Sequence, residues 1–171
     1  PSKSFVDELI IHVKGYDEWD NFRSGNTKFT LPDVAIPIVY EARENVLAYD
    51  ISGDRTYYYV IGIGNYSLGD LVIPESYNDK PVLGIERHAF SGCMTITSVT
   101  IPDTMEFMDD HAFYYCENLT SIVIGNGIEI LSQGVFNVCT NVSYISIGNN
   151  VKIIGGGAFG GCSYVTTVII P

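Results

Sequence analysis

Apolar residues along this chain fall into two rhythms that interlock through its second half. Val99 with Ile101, Ile122 with Ile124, Ile145 with Ile147, and Val168 with Ile170 keep the two-residue beat of a strand with one buried face. Pro102, Gly125, Gly148 and Pro171 close these segments, as turn-formers do. A second set of apolar pairs, Val82/Ile85, Met105/Met108, Ile128/Leu131 and Val151/Ile154, predicts another short extended segment in each unit. Between the two sets stand Ala89-Phe90, Ala112-Phe113, Val135-Phe136 and Ala158-Phe159. Each Phe is followed three residues later by Cys93, Cys116, Cys139 or Cys162, and then by Ile96, Leu119, Val142 or Val165. A one- to two-turn helix, or a bend, is expected around Ala-Phe-x-x-Cys.

Every step is 23 residues, without drift. A unit that short cannot bury its own apolar side chains and must lean on copies of itself, so the pattern predicts a solenoid of at least four coils. The expected class is α/β but β-dominated, held by stacked Phe, Cys and aliphatic rungs. The four cysteines form a ladder spaced by about one strand separation, roughly 4.7 to 4.9 Å, a distance compatible with disulfides. Parallel side-chain vectors make bridging awkward. Buried free thiols acting as small hydrophobes are the expectation, with disulfides the alternative; the close C-x-x-C pairs favoured by zinc do not occur.

The phrase Ile-Glu-Arg-His-Ala-Phe-Ser-Gly-Cys at residues 85–93, within the wider pattern A-F-x-x-C-x-x-[ILV]-x-x-[VI]-x-I-[PG], resembles the BspA-like leucine-rich repeats. The resemblance covers residues 45–171. It implies a right-handed leucine-rich-repeat solenoid with an N-terminal β-hairpin cap: an opening cap over 45–81, with its hairpin at 45–64 and Leu71-Val-Ile-Pro74, then coils over 82–171. The interval from Ile73 to Phe90 is five residues longer than that from Ile101 to Phe113, and Pro-Glu-Ser-Tyr-Asn-Asp-Lys-Pro (74–81) falls in it. A surface loop absorbs such an insertion at small entropic cost. In the hairpin, Tyr57, Tyr59 and Ile61 face one way and Tyr58, Val60 and Gly62 the other, which suits cap packing better than a sugar-binding platform.

Residues 1–44 fit the repeat poorly and are read as a separate cap or the tail of a preceding domain. Ser4 with Asp7 resembles a capping box opening a helix, although Leu9-Ile-Ile-His-Val13 equally suits a strand. Phe29-Thr-Leu-Pro-Asp33 echoes Val99-Thr-Ile-Pro-Asp103 as a degenerate coil.

Composition narrows the function. Hydrophobic residues make up 46% of the chain, enough to fold, and the net charge is −11 with nine Lys and Arg. That balance argues against nucleic acid and anionic membrane surfaces, both of which are bound through basic side chains. No apolar run is long enough to cross a bilayer. With Pro1 first, Pro171 last and no leader-like segment, the sequence reads as a cytosolic protein or as a mature or cloned piece of an exported one. No catalytic constellation is evident, so no enzyme activity and no cofactor are expected. His88 and His111 share a repeat position beside Asp109 and Asp110, yet Gly134 and Gly157 follow them, which favours a solvated polar turn over a metal site. A Cys116 nucleophile with a His111 base meets the same objection. Asp17, Glu18 and Asp20 around Trp19 lack the alternating spacing of a calcium loop, and the sequons at Asn65, Asn118 and Asn141 are explained by chance.

The outward side of the main strand series is the candidate protein-binding face. One row there is Ser98, Ser121, Tyr144 and Thr167; the other is Thr100, Val123, Ser146 and Ile169. Both are uncharged in an acidic protein. Good strand residues on a solvated sheet would look the same. The resemblance implies a non-catalytic binding module, extracellular or at the cell surface, adhering to host or neighbouring-cell proteins. The alternatives are a structural spacer and the binding arm of a larger surface protein or enzyme. The strand edge after Ile170 adds an expectation of end-to-end self-association.

Overall fold

A computed structural model describes residues 46–171. The readings made of residues 1–44, namely the Ser4/Asp7 helix start, the Phe29–Asp33 echo and the acidic group around Trp19, lie outside the described residues. Among those described, the regular elements are all strands.

Five strands form a parallel ladder: β3 (Asp70–Val72), β6 (Ser98–Ile101), β8 (Ser121–Ile124), β10 (Tyr144–Ser146) and β12 (Thr167–Ile169). Their register is the repeat itself, with Ser98 opposite Ser121, Ser121 opposite Tyr144 and Tyr144 opposite Thr167. Alternation then sends Val99, Ile101, Ile122, Ile124, Ile145 and Ile147 inward, where all are buried. A second series occupies the other side of each coil: β5 (Lys80–Ile85), β7 (Phe107–Met108), β9 (Ile130–Leu131) and β11 (Ile153–Ile154). These are the second extended segments expected from the apolar pairs. β5 pairs in parallel with β7, and β9 with β11.

The turn around Ala-Phe-x-x-Cys is a bend, and its hydrogen bonds explain why no helix forms. Beyond its first turn, a helix spends its N–H groups on its own segment. Here alternate N–H groups serve two purposes. Ala89, Ser91 and Cys93 donate to carbonyls three residues back, while Phe90 and Gly92 donate to Ala112 and Tyr114 of the next coil at 2.8 and 2.7 Å. Phe113 to Val135 and Phe136 to Ala158 repeat the bond at 2.8 Å. The alternation places two residues per coil in the left-handed region, His88 and Gly92 first, then His111 and Tyr115, then Gly134 and Val138. Such a backbone binds coil to coil at the corner as a sheet does along its strands.

Inside that corner the phenylalanines form a column. Ring centroids of Phe90 and Phe113 lie 4.7 Å apart, Phe113 and Phe136 5.1 Å, Phe136 and Phe159 5.6 Å, with interplanar angles of 6°, 16° and 5°. The first three rings are fully buried and Phe159 is half-buried. Each buried side chain of this size contributes roughly 1.5–3 kcal/mol. Close stacking also dictates the strand-closing residues: a Cβ on Gly148 would lie 2.2 Å from the carbonyl oxygen of Gly125.

The opening cap is a hairpin, β1 (Ala48–Ile51) antiparallel to β2 (Tyr58–Gly62), whose second strand runs parallel to β5 with Tyr58 opposite Val82. Val60 is buried against the core. Tyr49 stacks on Tyr77 at 4.1 Å, and Tyr58 meets both edge-on. On the opposite side, Tyr57 lies against Phe107. The alternation read from sequence therefore holds, and the Tyr58 side does the cap packing. The five-residue insertion is a small hairpin: β4 (Ser76–Tyr77) pairs with Lys80–Pro81 of β5. Asn78 and Asp79 form its two-residue turn, with φ of 47° and 61°, the geometry that Asn and Asp tolerate best after Gly.

Truncating the column tests the stacking. Phe113→Ala, with a ring on either side, is expected to cost about 3–5 kcal/mol, and Phe159→Ala clearly less. Urea unfolding of the two variants measures both, and equal losses would contradict a stacked interior.

Candidate protein-binding face

Register places all eight candidate residues where the sequence put them, in two rows across the main ladder. Ser98, Thr100, Ser121, Val123, Tyr144 and Ser146 are half-buried by their neighbours, while Thr167 and Ile169 are exposed. The structure adds one rung that sequence reading missed. Asp70 stands opposite Ser98 and Val72 opposite Thr100, so the rows begin with a carboxylate and with a valine that is 62% exposed. Asp70 Oδ1 accepts a hydrogen bond from Ser98 Oγ at 2.7 Å. Position 70 was legible in Leu71-Val-Ile-Pro74, which matches the later strands once the five-residue insertion is taken out.

Hydroxyls just before the strands are already engaged. Thr120 Oγ1, Ser143 Oγ and Thr166 Oγ1 each donate to the carbonyl of Thr97, Thr120 and Ser143 in the preceding coil, at 2.9, 3.2 and 3.1 Å. These side chains fix the coil spacing. The hydroxyls of Ser121, Tyr144 and Ser146, by contrast, have no partner among the described residues and stand open on the outward face of the ladder. Chemically, such a face offers donors and acceptors at strand spacing, with Tyr144 as its one aromatic anchor.

The remaining candidates resolve into structural roles. His88 and His111 rings stack with centroids 5.3 Å apart. The next coil offers no side chain at that position, because a Cβ on Gly134 would lie 2.7 Å from His111 Nε2. Asp110 is taken up by Arg87 and by the Gln133 amide at 3.2 Å. Among the described residues no three His, Cys, Asp or Glu side chains cluster as a metal site would require. The cysteines are free thiols, and Cys116 and Cys139 are fully buried. Each donates to the carbonyl of a Phe in the preceding coil: Cys116 Sγ to Phe90 O at 3.1 Å, Cys139 Sγ to Phe113 O at 3.1 Å, Cys162 Sγ to Phe136 O at 3.4 Å. Contact with Cys139, then burial, push the Cys116 thiol far up, the opposite of what a nucleophile needs. Burial, and then neighbouring Cys139, push Cys162 up to about 11.

Two of the sequon asparagines are coil-to-coil ties. Asn118 Nδ2 donates to Met94 O at 2.7 Å and Asn141 Nδ2 to Glu117 O at 2.8 Å. Asn65 Oδ1 accepts from the Val46 amide at 2.7 Å. A polar ladder not foreseen from sequence runs beside them, Asp103 Oδ1 accepting from Asn126 N at 2.8 Å and Asn126 Oδ1 from Asn149 N at 2.9 Å. Its signal was the same 23-residue spacing, in a turn where polar residues attract little notice.

Comparison with known proteins supports this architecture. The family model for the BspA type leucine rich repeat region matches residues 63–171 in six copies. A leucine-rich repeat protein from Bacteroides capillosus is 22% identical with a TM-score of 0.63, the match covering 72% of this chain and 92% of that one. A leucine rich repeat protein of T. pallidum is 24% identical with a TM-score of 0.55, over 73% and 69% of the two chains. A protein described as a leucine rich cell surface protein, from Faecalibacterium prausnitzii, is 28% identical with a TM-score of 0.64. That match covers 73% of this chain but 32% of the Faecalibacterium protein, so this chain corresponds to about a third of it. No curated protein matches the sequence significantly.

The thiol environment predicts a pH dependence. Cys162 ionises at about 11 in the fold against an ordinary 9.0, so its protonated form is the one the fold favours. That contribution is complete below pH 9 and is lost as pH rises through about 11. In alkylation followed by mass spectrometry at pH 8, Cys116 and Cys139 should react more than about a hundredfold slower in the native protein than in the unfolded chain. Rapid native labelling of Cys116 would contradict a closed interior.

Proposed function

The chain belongs to the BspA-type leucine-rich-repeat family, and on that premise we propose that it is a non-catalytic protein-binding module of a secreted or cell-surface protein. It adheres to host or neighbouring-cell proteins through the outward face of the main ladder. The observation that carries this reading is the unbroken parallel register of β3, β6, β8, β10 and β12, which sets the free hydroxyls of Ser121, Tyr144 and Ser146 on one face of the ladder. Solenoids expose extended faces of this kind to large partners. The Faecalibacterium relative, described as a cell surface protein, supports the surface location. The deep burial of Cys116 and the upward push on its thiol support a role without catalysis.

Immobilised protein should retain a partner from a surface-labelled preparation of epithelial-cell proteins. Tyr144→Ala should weaken retention by about tenfold or more, as central aromatic anchors do, and Ser121→Arg should abolish it by placing an unpaired charge in the contact. Retention indifferent to both substitutions would remove the ladder face from the proposal. No retained protein at all would favour a spacer.

A further inference from the structure

The coils present a second outward surface, on the narrower strand series, and its chemistry is the reverse of the hydroxyl ladder's. Gly84, Phe107, Ile130 and Ile153 hold one position in successive coils, with Gly84 opposite Phe107 and Ile130 opposite Ile153. Tyr59, opposite Gly84, extends the row into the cap. Yet Ile130 is 51% and Ile153 53% exposed. The gap at Gly84 is filled from the side: a Cβ there would lie 1.9 Å from Phe107 Cζ, so the ring lies across the glycine, and Tyr57 stands edge-on to it at 6.4 Å. The result is an apolar strip five rungs long, about 19 Å at ordinary strand spacing. A shallow groove lined by Glu106, Phe107, Gly127, Glu129, Ile130 and Ser132 runs along its middle.

Carboxylates border the strip on both sides. Glu106 and Glu129 occupy the position before the apolar row, with Lys152 next along it, and Glu86 and Asp109 the position two after it; all five are exposed. The basic side chains beside them are engaged, Arg87 with Asp110 and Lys152 with Glu129 at 2.7 Å. An anionic lipid or a nucleic acid is repelled by such a border. What fits is a ligand that covers apolar side chains and brings cations to both margins at once.

The geometry points to a docking strip for an extended basic segment of another protein, its apolar side chains resting on Phe107 and Ile130 and its Lys or Arg side chains meeting Glu86, Glu106 and Asp109. This surface is separate from the hydroxyl ladder, and the two are tested by different substitutions.

Fluorescence anisotropy with the 171-residue chain at about 0.15 M salt provides the test, using labelled decapeptides of alternating Leu-Lys, Ser-Lys and Leu-Glu. The Leu-Lys peptide should bind saturably and at least about tenfold tighter than the other two. Ile130→Ser and the double variant Glu86→Gln/Glu106→Gln should each weaken it by about fivefold or more, while Tyr144→Ala on the other face leaves it unchanged. Thermal melts of each variant within a few degrees of the parent show that the fold is intact. Equal binding of Ser-Lys would reduce the effect to net charge and overturn the proposal. Indifference to Ile130→Ser would overturn it too, as would binding of cellohexaose in place of the Leu-Lys peptide.

Discussion

The whole structure depends on one constraint: the chain must return to the same place every 23 residues. Because it does, each backbone group at a strand or a corner finds its partner one coil away, and each side chain finds its own kind. The corner shows the constraint most clearly. Phe90, Phe113 and Phe136 donate N–H groups to the next coil at the same 2.8 Å, and their rings stack above one another within 5.1 Å. Backbone and side chain thus enforce the same spacing. A one-residue slip would break both, so length variation is confined to places outside the stack, such as the β4 hairpin turn at Asn78 and Asp79.

Uniform stacking has a second effect, which is to sort polar groups by position. Hydroxyls at 120, 143 and 166, amides at 118 and 141, and the Asp103–Asn126–Asn149 series all bond to the coil before them. Among the described residues no buried side-chain nitrogen or oxygen lacks a partner. Thiols at 116, 139 and 162 obey the same rule by donating to Phe carbonyls, so a position that looks reactive in sequence is a satisfied piece of the interior. The surface is left with two contrasting strips, hydroxyl-rich on the main ladder and apolar with acidic margins on the narrower one.

Much of this was legible in the sequence because periodicity at one residue type reports every coil at once. The Phe and Cys columns, both strand series, the inward aliphatic rows and the two outward rows follow from spacing and alternation alone. The bend at Ala-Phe-x-x-Cys was ambiguous with a short helix because the deciding bonds run between residues 22 apart, which local propensity does not register. The first rung at Asp70 and Val72 was obscured by the insertion that separates it from the next coil. The apolar strip was hidden for a different reason: its continuity depends on Phe107 lying across Gly84, a contact between strands that neither residue announces.

The most direct measurement of the account is a double-mutant cycle on the column, made with the milder change Phe→Leu so that every variant folds. Phe113 and Phe136 are in contact, and their unfolding free energies should be non-additive by about 0.5–1.5 kcal/mol. Phe90 and Phe159, separated by two intervening rings, should be additive within about 0.5 kcal/mol. Additivity at Phe113/Phe136, or equal coupling in both pairs, would mean that successive coils do not share one continuous interior.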